Sequence, residues 1–447
     1  MSRVYSAPPG VVIRGGRFAP SPSLFAPGSE VGTLSAGLWT PARAADGRVT
    51  KASVDALPLD TWVKVAGSSL TTLQGIIETI GGRPYADYDL SDAKSIASTF
   101  RAWVGCAVAH GHRVIYSRGG GHADSAVNGV WEFDAVRMGW NVLGMPSLPD
   151  ERWNLTYGKN TSAGNGSGSW TLYKSVNGPS GVTVDSDGLS WDRLPDDRPT
   201  SAHTYGGVWW DSLRNRIGTA RVSKWEFDLN TNEWLPRTRW LDASGTPQIL
   251  RINQLLHYHA GKDALYGDPG GSTLDSDTWS FAKIPMTTNR VDLTITKPSP
   301  WATTGASASC RLDEDRLLFL WTTPSGLEER YGIYNMATET TESTGLVGNP
   351  RPQTHIEAEM LVCQYVPTWG AAGQVIRRGT AGVDDNFSWL FDIATKSNVP
   401  YEPQGSYPAT CHRPGNKYTT LPALKLLLLV DDDAPISQPA IHVMRYA

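Results

Sequence analysis

The chain has 447 residues, with 40 Lys and Arg against 44 Asp and Glu, a net charge of −4 and a pI near 6.2. No Lys/Arg cluster stands out, which argues against a nucleic-acid partner, since phosphate-backbone binding needs such a patch. Membrane insertion is not expected either: the longest apolar run, residues 424–430, is interrupted by Lys425 and is far too short for a bilayer.

Charged residues make up only 19% of the chain, while glycine (45), proline (30) and tryptophan (18) are abundant. Many short apolar runs punctuated by Gly and Pro predict an all-β fold. The tryptophans have two readings. One is packing between sheets; the other is exposed indole faces that stack on sugar rings. The four cysteines, Cys106, Cys310, Cys363 and Cys411, are scattered with no C-x-x-C pair. They read as buried small apolar residues, with disulfides as the alternative and no zinc site.

Residues 1–58 are rich in Pro, Gly, Ala and Ser, with no sustained period of 2 or 3.6. No apolar signal-peptide core is visible at the start. The segment predicts an extended arm, and Val12, Ile13, Phe18, Phe25, Leu34 and Trp39 favour an arm that docks onto another protein. Residues 59–100 predict an isolated strand led by Trp62, then two connectors, 71–80 and 90–98, the second with Ser91 or Asp92 as N-cap.

From residue 101 a grammar repeats. Strands over 100–108 and 114–117 are followed by G-G-G-H-A-D-S-A-V-N-G, then by W-E-F-D ending at Asp134, then by Trp140. W-E-F-D recurs at Trp225 to Asp228, and Trp234 again follows six residues later. Weaker copies lie at Trp279, Tyr331, Trp389 and Val443, so that from Trp225 onward the markers step by 54, 52, 58 and 54 residues. A fixed period of about 50 is the mark of four-stranded propeller blades. The first step, 94 residues, predicts either an insertion near residues 145–199 or a degenerate blade. Six blades follow from the first reading and seven from the second. The copy at Val443 lacks a Trp-led fourth strand, and the isolated strand at Trp62 is expected to supply it and close the ring.

In a meander blade the 2–3 loops and the 4–1 loops share one face. That face collects His122, Asp124 and Asn128 from a 2–3 loop, and His203, Tyr205, Arg251, His257, Arg351, His355 and His412 near strand-one starts. The combination suits a polar ligand, or acid–base chemistry beside a carboxylate-neutralising Arg. His257 and His259 share one side of a strand and make half a metal site at most, so no metal is expected.

Through G-G-G-H-A-D-S-A-V-N-G-V-W-E-F-D, R-P-T-S-A-H-T-Y-G-G and W-E-F-D-L-N-T-N-E-W, residues 101–447 resemble kelch and galactose-oxidase central-domain propellers, most of all the kelch-like proteins of bacterial and phage genomes. The resemblance brings no cofactor, because the Cys–Tyr and copper ligand set of galactose oxidase is not identifiable here. It implies a phage tail or fibre protein whose propeller binds a host-surface polysaccharide or receptor. Residues 1–58 would then meet other virion proteins, and the chain would form a homo-oligomer on the particle. Two alternatives remain open: a polysaccharide lyase or hydrolase using a His/Arg/Tyr funnel, and an intracellular kelch-type interaction scaffold. The expected location is accordingly the virion, with extracellular and cytoplasmic as the alternatives.

Overall fold

A computed structural model describes residues 13–14, 17–18, 24–88, 95–101, 104–118, 127–148, 196–199, 201, 204, 206–220, 223–248, 250, 255–268, 281–292, 307–322, 328–350, 362–377, 386–402, 404–406, 418–431 and 440–447. The fold is an all-β propeller. Five consecutive antiparallel meanders form its blades. Blade one runs through Gly105–Ala109, Arg113–Ser117, Val130–Asp134 and Gly139–Gly144, and blade two through Val208–Asp211, Arg216–Ala220, Lys224–Asp228 and Glu233–Trp234. Blade three has Leu255–His259, Ala264–Asp268 and Ala282–Pro285, with Asp292 bridged to Lys283 on its outer edge. Blade four has Ser307–Arg311, Arg316–Thr322, Glu329–Asn335 and Thr340–Leu346; blade five has Val362–Val366, Ala371–Arg377, Asn386–Asp392 and Ser397–Tyr401.

The spacing of W-E-F-D to Trp follows from one turn. Asp134 Oδ1 accepts from the backbone N–H groups of Val136 and Arg137, at 2.9 and 3.2 Å. The fifth residue of the turn, Met138, takes the left-handed conformation (φ 45°). The same place holds Asn232, Asn289, Glu339 and Lys396 in the other four blades, with φ between 54° and 58°. This fixes register, so that Phe133 pairs with Trp140 and Phe227 with Trp234. Both pairs meet edge to face, at 5.2 and 5.3 Å between centroids, the geometry the ring quadrupoles favour.

This turn defines five blades, where six were expected and seven were the alternative. The sixth sheet is a seven-stranded composite, in which the third strand of the final hairpin does not turn back into a fourth. Tyr418–Leu421, Leu426–Val430 and Ile441–Arg445 are followed instead by Thr61–Val65, with Val443 opposite Val63, and then by Leu38–Thr40 and Thr33–Ser35. Among the described residues no blade stands between blades one and two, and Ala107, Ala109 and Ile115 share a core directly with Val208, Ile217 and Phe227.

Residues 24–58 also differ from a free docking arm. Phe25, Trp39, Val49, Val54 and Leu57 are buried in one core with Val63, Phe133 and Trp140. Of the apolar residues that suggested docking, Phe25 and Trp39 pack into this core, while Leu34 is exposed. Residues 71–80 fall within the helix Leu70–Gly81, capped by Ser69 and stopped at left-handed Gly82 (φ 64°). The strand expected from residue 100 starts later, at Gly105, because Ile96–Arg101 is helical and Phe100 packs on Tyr116 and Trp140. Among the described residues no helix is long and apolar enough to cross a membrane.

Most of the tryptophans that anchor these cores are buried, Trp131 and Trp225 completely. Trp140 buries its indole and donates Nε1–H to Ser68 O at 2.8 Å. Trp140→Ala is expected to destabilise the fold by about 3–5 kcal/mol, combining lost burial with a residual cavity. Chemical denaturation checks this, and a loss under about 1 kcal/mol would mean that the ring is not an anchor.

Neighbouring blades are joined by side chains near the strand 1–2 turns. His110 Nε2 meets Asn215 Oδ1 at 2.9 Å. Arg214 grips Asp263 with two N–H groups at 2.7 and 2.6 Å while also holding Asp211 at 2.8 Å. Asp263 lies below the usual carboxylate range, chiefly through that Arg214 bond. Asp263→Ala is expected to cost about 1–3 kcal/mol, discounted because both partners are partly exposed. A salt-independent, unchanged unfolding midpoint would show that the clasp does not join the blades.

Candidate functional site

The first strands of the blades lie nearest the axis, and each stands beside the next, from Gly105–Ala109 round to Tyr418–Leu421. They surround a cavity of about 460 Å³, bordered by the strand 1–2 turns at Gly111, Glu314, Pro367 and Pro422. That volume suits a small ligand or one end of a longer one.

Strand alternation decides what enters this cavity. On Leu255–His259, His257 and His259 both project towards blade four. His257 Nε2 lies 2.7 Å from Ser309 Oγ. His259 is used up structurally: its Nδ1 accepts from Lys262 N at 3.0 Å and its Nε2 meets Asp315 Oδ1 at 2.9 Å. The pair therefore does not form half a metal site. Among the described residues no group of three metal-ligating side chains occurs.

On Ser307–Arg311, Ser309 and Arg311 project back towards blade three. Arg311 Nη1 donates to Tyr258 O at 3.1 Å, Nε to Asp313 O at 3.2 Å, and Nη2 to Glu314 O at 2.5 Å. A guanidinium has five N–H donors, so these three bonds fix its plane and leave two for a ligand or water. Among the described residues, no carboxylate lies within ion-pair distance of Arg311. The Asp313 carboxylate is held by Arg316 instead, at 2.6 Å. Enclosure by protein lowers the pKa of Arg311, while nearby Glu314 opposes the shift. It remains charged at neutral pH.

Gln364, Tyr365, Thr419, Thr420 and Trp210 complete the functional part of the lining. Gln364 Oε1 accepts from Thr420 N at 3.2 Å, which orients the amide. The Trp210 ring is set by His110, 4.9 Å away. The cavity thus combines a fixed cation, a hydroxyl–imidazole pair, an oriented amide and aromatic rings. It can bind a hydroxyl-rich ligand by hydrogen bonds and stacking. Ser309 with an unprotonated His257 also has the contact geometry of a nucleophile beside a base.

Of the predicted site residues, His122, Asp124, His203, Tyr205, Arg251, Arg351, His355 and His412 lie outside the described residues. Asn128 and His257 lie within them, in different roles. Asn128 is a buried clamp: its Nδ2 donates to Ser147 Oγ and Pro199 O, at 2.9 and 2.8 Å, and its Oδ1 accepts from Ser147 N at 2.8 Å. Of these two, His257 reaches the axial cavity and Asn128 does not. Sequence reasoning passed over Ser309, Arg311, Gln364 and Trp210. The available signal was a polar residue inside an otherwise apolar first strand, as in A-S-C-R and V-C-Q-Y.

No protein-family description matches the chain, and no curated protein matches it. Among solved structures it is similar to an oligogalacturonate lyase in complex with manganese, with TM-score 0.38 and 9% identity over 77% of this chain and 89% of that one. It is also similar to a xyloglucanase from Xanthomonas campestris, with TM-score 0.37 and 9% identity over 75% and 46%. A third is the hydrazine synthase of Kuenenia stuttgartiensis, with TM-score 0.36 and 8% identity over 75% and 78%. At these scores none of them bears on the chemistry of the cavity.

Burial first, and the Arg311 charge second, push the His257 pKa down to about 3. An unfolded histidine protonates near 6.5, so between about pH 6.5 and pH 3 the unfolded state takes up a proton that the folded state refuses. Stability from this site is therefore lost as pH falls. His257→Asn is expected to flatten the decline in melting temperature between about pH 7 and pH 4.5. An unchanged slope would assign the acid sensitivity elsewhere.

Proposed function

We propose that this propeller is a glycan-binding head and that a saccharide end enters the axial cavity. The observation that carries the proposal is the cavity lining: Trp210 and Tyr365 stand with Arg311, Ser309 and Gln364 around about 460 Å³. Sugars present apolar faces and hydroxyl edges, and this lining offers a partner for each. The Arg311 guanidinium, with two N–H groups to spare, suits a pair of hydroxyls or a carboxylate on the sugar.

The carrier we infer is a phage tail or fibre, on the kelch-like grammar of residues 101–447. Strand Thr61–Val65, paired to Ile441–Arg445, would close the ring and give the head the rigidity that repeated encounters with a cell surface require. Contacts to other virion proteins would then come from the parts of the arm outside its buried anchors Phe25 and Trp39, with Val31, Leu34 and Leu38 exposed. The second reading is a polysaccharide-cleaving enzyme. It is favoured by one observation, Ser309 Oγ at 2.7 Å from His257 Nε2.

The test is binding of the full chain to purified host capsular polysaccharide and lipopolysaccharide by calorimetry. Trp210→Ala is expected to weaken binding by about three- to tenfold, the worth of one aromatic contact. Unchanged binding in that variant, with loss in His122→Ala/Asp124→Ala, would move the site to the segment that carries those two residues. New reducing ends or unsaturated termini on the glycan, abolished by Ser309→Ala or His257→Asn, would favour the enzyme. Absence of the chain from purified particles by mass spectrometry would overturn the virion assignment.

A further inference from the structure

Blades four and five are in contact through two thiols. Cys310, on Ser307–Arg311, and Cys363, on Val362–Val366, bring their sulfurs to 3.3 Å. Both are buried, at 2% and 1% exposure, and both are free thiols. Their residue alternation explains the meeting. Ser309 and Arg311 face blade three, so Cys310, between them, faces blade five. Gln364 faces the final hairpin through Thr420, so Cys363 faces blade four. Neither strand shares a backbone ladder with the other, so this side-chain contact bridges two separately formed sheets.

We propose that Cys310 and Cys363 are an oxidation site, a dithiol that closes to a disulfide and ties blade four to blade five beside the axial cavity. A disulfide needs sulfurs about 2.05 Å apart, so closure requires a sulfur movement of about 1.3 Å, within reach of small side-chain rotations from the observed contact. The co-reactant is a small disulfide such as oxidised glutathione. The thiolate of one cysteine attacks a glutathione sulfur, releasing one reduced glutathione. The second cysteine, as thiolate, then attacks the mixed disulfide and releases the other. Two protons leave the protein, its two thiols are oxidised, and one glutathione disulfide is reduced to two thiols. Cys310 borders the cavity, which gives the small disulfide an approach. Burial holds the Cys310 thiol above its ordinary range, with the Cys363 contact adding to it, so the reaction is expected to be slow and to speed up as pH rises. Cys106 is also buried, with its pKa pushed up to about 12.

The experiment incubates the full native chain with oxidised glutathione and maps the peptides without reduction. The expected result is a Cys310–Cys363-linked peptide, a loss of two hydrogens by intact mass, and a rise in melting temperature that dithiothreitol reverses. Cys106→Ser is expected to leave all three unchanged, and Cys310→Ser to abolish them while remaining folded by circular dichroism. Should Cys310→Ser not fold, Cys363→Ser or Cys310→Ala provides the same comparison. Stable single glutathione adducts, linkage to Cys411 instead, or no linked peptide after prolonged incubation of folded protein would overturn the proposal. Glycan binding is not used as a readout, so failure here is distinct from failure of the proposed function.

Discussion

The blades of this propeller share only isolated backbone bonds, such as Leu256 N to Gly206 O and Gly348 N to Lys396 O, so their docking rests mainly on what side chains do between one sheet and the next. Inside a blade, register is set locally by an Asx turn with a left-handed fifth residue. Between blades there is no continuous ladder among the described residues. Burial of Ala107 and Ile115 against Ile217 and Phe227 supplies the apolar contact, and this non-directional attraction scales with area. Direction comes from a few polar clasps near the turns: His110 to Asn215, Arg214 to Asp263, and His259 to Asp315. Each clasp uses a residue from one first-strand turn and a residue from the next, so the clasps fix the spacing of the inner strands and hence the width of the cavity.

The same geometry explains why the described histidines near the strand 1–2 turns serve the scaffold. A turn beside a neighbouring blade needs a group that can accept on one side and donate on the other. Neutral imidazole does both. His259 accepts from Lys262 N and meets Asp315, and His112 Nδ1 meets His110 O at 2.9 Å. These residues hold the scaffold. His257 differs because its partner is the Ser309 hydroxyl, itself on the cavity wall, and because burial next to Arg311 keeps it unprotonated.

The fold was legible in the sequence to the extent that it is local. The W-E-F-D element and its Trp six residues on encode a turn and a cross-strand Phe–Trp pair, both contained within one hairpin. Blade count was less legible, because the last sheet continues past Thr61–Val65 into Leu38–Thr40 and Thr33–Ser35, strands with no repeat signature. The packing of Phe25 and Trp39 was illegible for a related reason. Trp39 and Phe25 carry no local pattern, and the core they join, which includes Val63 and Trp140, is drawn from residues distant in sequence. The cavity was the least legible part. Ser309, Arg311 and Gln364 come from strands that are each unremarkable alone, and only the ring brings them together.

Alternation along the inner strands also couples the cavity to the blade interfaces. On Ser307–Arg311, two side chains reach blade three and the one between them reaches blade five. A change made for ligand chemistry at Ser309 or Arg311 therefore acts on the interface with blade three, since those groups also bond His257 and Tyr258 O. A change at Cys310 acts on the interface with blade five. Arg311 shows the consequence most clearly. Three backbone carbonyls hold its plane, two of them in its own turn and one in the preceding blade. The guanidinium is thus a preorganised donor whose position is set by the docking of two blades. Its ordering is complete before any ligand arrives, which reduces the entropy that binding must overcome.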